Sequence, residues 1–220
     1  MKHPNLNEER KLWRKGYKRV VCLDEAGRGP LAAPVIAAAV TVSPAKLKTQ
    51  NLKFKTILTE IKDSKKLTPK RREEFFKILT NPPAGGLQIK WGIGQVSEKV
   101  IDKINILEAT KLAMKKAIKN LKAKNQNPKV DFLIIDGNFK INLKIPQKSI
   151  IKADEKVFSC ICASIIAKVS RDRIMRRLHK KYPQYGFDKH KGYPTKYHRR
   201  MLKKYGPCQI HRKSFKPVRA

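Results

Sequence analysis

VVCLDEAGRGPLAAPVIAAAVTV, residues 20–42, is the stretch on which the fold turns. An apolar run from Val20 to Leu23 stops at two adjacent acids, Asp24 and Glu25. Gly27-Arg28-Gly29-Pro30 follows, and then a second apolar run of small and β-branched residues from Val35 to Val42. A buried strand, a glycine-punctuated turn and a second buried strand produce this pattern. Glycine on either side of Arg28 implies a backbone that turns sharply or lets another backbone approach closely. An acid pair held against so apolar a background fits a functional site. A surface turn with a solvated Asp-Glu pair fits the same residues.

Outward from this stretch, the 220 residues suffice for one domain with a full core, or one domain and a small appendage. Formal charge is +35, from 52 Lys+Arg against 17 Asp+Glu. A field of that size attracts phosphates, so a polyanionic partner is expected. Hydrophobic residues make up 40% of the chain, which excludes a disordered basic tail. Cys22, Cys160, Cys162 and Cys208 form no C-x-x-C pair and lack zinc-site spacing. The start, MKHPNLNEERKLW, is polar, and no apolar run reaches the roughly 20 residues of a membrane span. These features predict a cytoplasmic, reduced protein with no membrane partner.

Strands alternating with helices predict an α/β body. Thr68 is placed to cap a helix with Pro69 at its first position, carrying Phe75, Phe76, Ile78 and Leu79 inward and ending at Asn81. Gln88 to Ile93 reads as a strand with Trp91 as a packing residue. Asn105 and Glu108 form a capping pair for a long helix with Leu107, Met114, Ala117, Ile118 and Leu121 on one face. Phe132 to Ile135 and Ser149 to Ile151 are further strands. A helix is expected from Glu155 to about Lys180, stopped by Tyr182-Pro183, and a shorter one between a Thr195 cap and Gly206. The division expected is 1–172 for the main body and 173–220 for a small basic helical C-terminal subdomain.

Three strand-like runs end in an acid, at Asp24, Asp136 and Asp154. If those strands are neighbours, these three converge with Glu25. Crowded carboxylates repel one another, and a divalent cation relieves the repulsion. Hard oxygen ligands suit Mg²⁺ or Mn²⁺. Two ions about 4 Å apart clamp an in-line phosphoryl displacement, with Asp24 bridging, Glu25 and Asp136 completing the sites, and Asp154 on the attacking-water side. Each acid could instead serve alone at a strand end, and Asp154 could cap the helix after it.

DEAGRGP with LAAPVIAAAV, Asp63-Ser64-Lys65-Lys66-Leu67, Asp136-Gly137, Ala163 to Val169 with Arg171-Asp172, His190-Lys191-Gly192-Tyr193 and His211-Arg212-Lys213-Ser214-Phe215 occur in this order. Together they resemble the ribonuclease HII family from about Val20 to Val218. Ala33 and Ala153 stand where that family usually or often has glycine. The resemblance implies a mixed ribonuclease H-like sheet flanked by helices, and Asp24, Glu25, Asp136 and Asp154 as catalytic, metal-binding carboxylates. It implies cleavage of the RNA strand of RNA–DNA hybrids and incision 5′ to single ribonucleotides in duplex DNA; a monomer is expected. It assigns recognition of the RNA-to-DNA junction to Gly27, Arg28, Gly29 and Tyr193. Lys65, Lys66, Arg212 and Ser214 are candidate phosphate contacts. His179, His190, His198 and His211 are expected to bind no metal, and Asp172 to pair with a nearby Arg.

Two rivals remain at this point. Ribonuclease HIII typically has Lys between the glycines and an extra N-terminal domain, and Arg28 argues against it. A non-catalytic basic RNA-binding protein explains the charge but leaves the acids without a role.

Overall fold

The computed structural model describes residues 4–43, 61, 67–81, 88–124 and 129–219. Helix α1 (Asn7–Arg14) precedes strands β1 (Val20–Ala26) and β2 (Val35–Val42). Helix α2 (Pro69–Thr80), strand β3 (Ile89–Val96) and helix α3 (Glu98–Lys124) follow. Strands β4 (Phe132–Asp136) and β5 (Gln147–Ile150) complete one sheet of order β3-β2-β1-β4-β5. β1 is antiparallel to β2 and parallel to β4; β2–β3 is antiparallel and β4–β5 parallel, so the sheet is mixed. A 3₁₀ turn (Ala153–Glu155) leads to helix α4 (Phe158–Lys181), then α5 (Phe187–His190) and α6 (Lys196–Tyr205).

The alternation of β2 builds two cores. Ile36, Ala38, Val40 and Val42 face α2 and α4, packing with Phe75, Leu79, Ile161 and Ile165. Val35, Ala37 and Ala39 face α3, packing with Ala113, Met114, Ala117 and Leu121. Small residues let α3 lie directly on β3. A Cβ added at Gly94 would sit 1.9 Å from the carbonyl oxygen of Ala113 and 2.6 Å from the nitrogen of Ala117. Helix backbone cannot yield locally, so Gly94→Ala is expected to cost about 1–3 kcal/mol or more. Urea unfolding checks this, and a midpoint equal to that of the wild type would contradict the packing.

The expected caps are present where local chemistry writes them. Thr68 accepts from the Arg71 N–H and Thr195 from the His198 N–H. Asn105 accepts from the N–H groups of Leu107 and Glu108, at 2.9 and 3.1 Å. Asn105 itself is non-helical, φ 65, and a further helical stretch from Glu98 precedes it, too polar to show in the periodicity. Leu107 and Ile78 are half-buried rather than core residues. β5 begins two residues earlier than expected, at Gln147, and α4 begins at Phe158 rather than Glu155. In the gap the chain reverses through Lys152 in the left-handed conformation.

Position 172/173 lies inside α4, a continuous helix. Its Met175 packs with Leu31, Ala32 and Ala33 from the loop after β1 and with Tyr185, Phe187 and Leu202 from the C-terminal segment. Among the described residues no helix is long and apolar enough to cross a membrane.

Candidate active site

The register sets the first two acids side by side. Leu23 of β1 pairs with Ile135 of β4, so Asp24 and Asp136 are the next residues on adjacent parallel strands. Both share the parity of Cys22 and Ile134, which pack beneath them against Cys160 of α4. The third acid, Asp154, arrives on the 3₁₀ turn, four residues beyond the end of β5 rather than at a strand end. That turn is tied to the second acid. The Ala153 N–H donates to Asp136 Oδ1 at 3.0 Å and the Asp154 N–H to Asp136 Oδ2 at 3.4 Å. Carboxylate oxygens of Asp24, Asp136 and Asp154 thus lie within 4.8 Å of one another.

Glu25 points to the other parity, as its neighbour position on a strand requires. Its Oε1 is 3.4 Å from Arg28 Nη1, while Oε2 is buried without a hydrogen-bond partner among the described residues. The structure therefore brings three of the four acids into one cluster and holds Glu25 beside it. Burial and the charges of Glu25, Asp136 and Asp154 push the Asp24 carboxyl well above the usual carboxylate range, against a hydrogen bond from Ser164. Burial raises Glu25 to about 7, opposed by Arg28 and reinforced by Asp136 and Asp154. Ser164 lies in the Ala163 to Val169 motif of the resemblance, but its sequence context, a polar residue on the apolar stripe of α4, assigned it no role.

The loop from Gly27 to Pro34 is pinned by two buried arginines. Arg171 of α4, 1% exposed, donates to the carbonyls of Pro34, Ala32 and Lys191 at 3.2, 3.1 and 2.9 Å. Arg212, 0% exposed, donates to the carbonyls of Gly27, Arg28 and Ala33 at 2.6, 2.9 and 3.0 Å. Arg212 is therefore committed to the loop rather than open to a phosphate. Burial lowers both guanidinium pKa values, to about 10 and about 9, leaving both charged at neutral pH. Gly27 is required twice over: φ is 102, and a Cβ would lie 2.2 Å from Arg171 Nε. Ala33 sits at φ 71, so the alanine at this position carries left-handed strain of roughly 1–2 kcal/mol that glycine would avoid.

Tyr193 is 44% exposed and lies against Gly29, its Cε1 3.6 Å from where a Cβ of that glycine would stand. The structure thus joins Gly27, Arg28, Gly29 and Tyr193. Ser214 is turned away, its hydroxyl and N–H both donating to Asp102 Oδ1 at 2.6 and 2.9 Å. Lys65 and Lys66 lie outside the described residues. Among the described residues Asp172 forms its ion pair with Lys168, at 2.5 Å, rather than with an arginine, because the position four residues earlier on α4 carries the lysine.

The sequence model of ribonuclease HII matches residues 21–218. The chain belongs to the ribonuclease HII family. The ribonuclease HII of Caldicellulosiruptor bescii is 48% identical over 207 residues, 94% of this chain and 91% of that one. That of Chlamydia caviae is 49% identical over 211 residues, 96% and 90% of the two chains. The crystal structure of ribonuclease H2 from Pyrococcus horikoshii superposes with a TM-score of 0.67 at 27% identity, covering 91% of this chain and 95% of that one. Bst ribonuclease HIII, solved with Mn²⁺, has a TM-score of 0.71 over 92% of this chain and 68% of its own; at 15% identity it shares the fold alone. Membership in the ribonuclease HII family excludes both rivals and makes the protein a ribonuclease H-type endonuclease that depends on metal.

Proposed function

We propose that the enzyme hydrolyses the RNA strand of RNA–DNA hybrids and incises 5′ to single ribonucleotides in duplex DNA, leaving a 3′-hydroxyl and a 5′-phosphate. The observation that carries this is the cluster of Asp24, Asp136 and Asp154 within 4.8 Å, with Asp24 on the strand that leads into the pinned loop beginning at Gly27. The donor set fits Mg²⁺ or Mn²⁺: three hard carboxylates, two of them buried, and a fourth acid with a buried unpartnered oxygen. When bound, two such ions neutralise the scissile phosphate, acidify the attacking water and stabilise the leaving 3′ oxygen.

Asp24, central and buried, would be shared between the two ions; Asp136 and Glu25 would complete their ligands, and Asp154 would serve the attacking-water side. Asp136 is orientated by the main-chain N–H groups of Ala153 and Asp154. Arg28 partly neutralises Glu25. Gly27, Arg28, Gly29 and Tyr193 meet the ribonucleotide, with Lys65, Lys66 and Ser214 as further candidates for phosphate. Residues 1–172 serve as the catalytic unit and 173–220 as the substrate-binding unit, sharing α4. A monomer is assigned, in the reduced cytoplasm, consistent with four unbridged cysteines.

Calorimetric titration with Mn²⁺ tests the metal assignment without reference to turnover. Asp136→Asn is expected to weaken binding about tenfold or more, since even groups behind the ligands cost that much. Unchanged Mn²⁺ affinity would remove Asp136 from the site.

A further inference from the structure

Behind Tyr193 lies a buried pair of histidines whose proton positions the surrounding backbone fixes from both ends. The Cys208 N–H lies 3.0 Å from His211 Nδ1. A backbone N–H can only donate, so Nδ1 of His211 accepts. The proton of the neutral ring is then on Nε2, which lies 3.1 Å from Nε2 of His198 and donates to it. His198 must therefore carry its own proton on Nδ1, which stands 3.0 Å from the carbonyl oxygen of Tyr193 and donates there. A carbonyl can only accept, so the chain reads the same way from its other end.

Nothing in the surroundings loosens this direction. His198 is 0% and His211 2% exposed. His190 stacks on His198 with ring centroids 4.5 Å apart, accepting from the Gly192 N–H and facing the Tyr185 carbonyl. Tyr185 and Phe187 close the cage edge-on. Burial lowers His198 and His211 to about 4, so both stay neutral and keep one proton each.

The same short segment also holds the loop opposite. Ile210 accepts from the Ala33 N–H at 2.7 Å, Arg212 N–H donates to Leu31 at 2.8 Å, and the Arg212 side chain grips Gly27 and Arg28. One segment, 208–212, thus sets both walls of the place where Tyr193 lies against Gly29.

We propose that His198 and His211 form a directional hydrogen-bond relay that positions Tyr193 relative to the Gly27–Gly29 loop, and so acts on ribonucleotide selection without touching substrate. The relay in this role presupposes that Tyr193 meets the ribonucleotide. A purely structural pair would hold the cage together and affect all substrates through stability alone.

Long-range imidazole ¹H–¹⁵N correlation on the intact wild-type enzyme at neutral pH reads the tautomers directly. His211 protonated on Nε2 and His198 on Nδ1 are expected; the opposite tautomer at either ring overturns the relay. In kinetics on duplex DNA with one ribonucleotide, His198→Leu is expected to lower kcat about 10–100-fold with KM changed less than about threefold, as for a small misplacement of a positioning group. His198→Asn, which keeps a donor near the Nδ1 position, should recover most of that loss. In a Tyr193→Ala background His198→Leu should cost nothing more. An equal further loss in that background overturns the relay alone. A Tyr193→Ala enzyme as fast as the wild type overturns the reading of Tyr193, and the relay's role with it.

Discussion

Asp24→Asn is expected to lose turnover by about 10³-fold or more, some 4 kcal/mol of transition-state stabilisation, while melting higher than the wild type without metal. The two effects share one cause. Asp24 is buried among Glu25, Asp136 and Asp154, and its carboxyl is pushed well above the usual range. An ionised carboxylate there costs folding free energy whenever no cation neutralises it. Asn keeps the shape and an acceptor for the Glu25 N–H, which lies 2.6 Å from Asp24 Oδ1, but removes the charge and one carboxylate oxygen.

The pH dependence follows with the same sign. Glu25, raised from 4.5 to about 7, binds its proton more tightly in the folded state. The metal-free enzyme should therefore lose stability as pH rises from about 4.5 to about 7. Asp24→Asn should flatten part of the loss of stability with pH, because the Asp24 carboxyl, itself raised well above the usual range, no longer titrates. Calorimetric melting with chelator across this range checks it. Near-wild-type cleavage at saturating Mg²⁺, or a lower metal-free melting temperature with an intact fold, would remove Asp24 from its central place.

The second large effect is selection of the 2′-hydroxyl. A site built to hydrogen-bond one hydroxyl rejects its absence by about 10⁴–10⁵-fold, because its own polar groups are left unpaired. On the proposed reading the loop and Tyr193 form such a site, with Arg171 and Arg212 holding the backbone of residues 27–34. All-DNA duplex should bind with comparable, salt-sensitive affinity, since the +35 charge addresses phosphates irrespective of sugar. It should nevertheless remain uncut. Tyr193→Ala should lower kcat on a single-ribonucleotide duplex far more than it weakens binding measured in Ca²⁺. Equal cutting of ribonucleotide-containing and all-DNA duplexes, or a Tyr193→Ala defect confined to binding, would show that selection lies elsewhere.

The parts of the site legible in the sequence are those written locally. Asp24 and Asp136 each close a buried strand, and a strand end beside a parallel partner puts consecutive positions in contact. Thr68, Asn105 and Thr195 announced helix starts because a cap satisfies its own neighbours. Asp154 was legible as an acid after an apolar run but not as a member of a 3₁₀ turn, because that depends on Lys152 adopting a left-handed backbone. Arg171 and Arg212 were illegible in role. In so basic a chain an arginine reads as solvated or phosphate-bound, and only the folded carbonyls, more than 130 residues away in sequence, show otherwise. The helical stretch before Asn105 was hidden by its lysines and acids, although Ile101 is fully buried.

The most direct measurement is product mapping on a DNA duplex carrying one ribonucleotide, with Mg²⁺, with Mn²⁺ and with chelator. The account predicts a single nick on the 5′ side of the ribonucleotide with either ion, 3′-hydroxyl and 5′-phosphate ends, and no product with chelator. Cleavage that persists in chelator, or a nick on the 3′ side of the ribonucleotide, would contradict it.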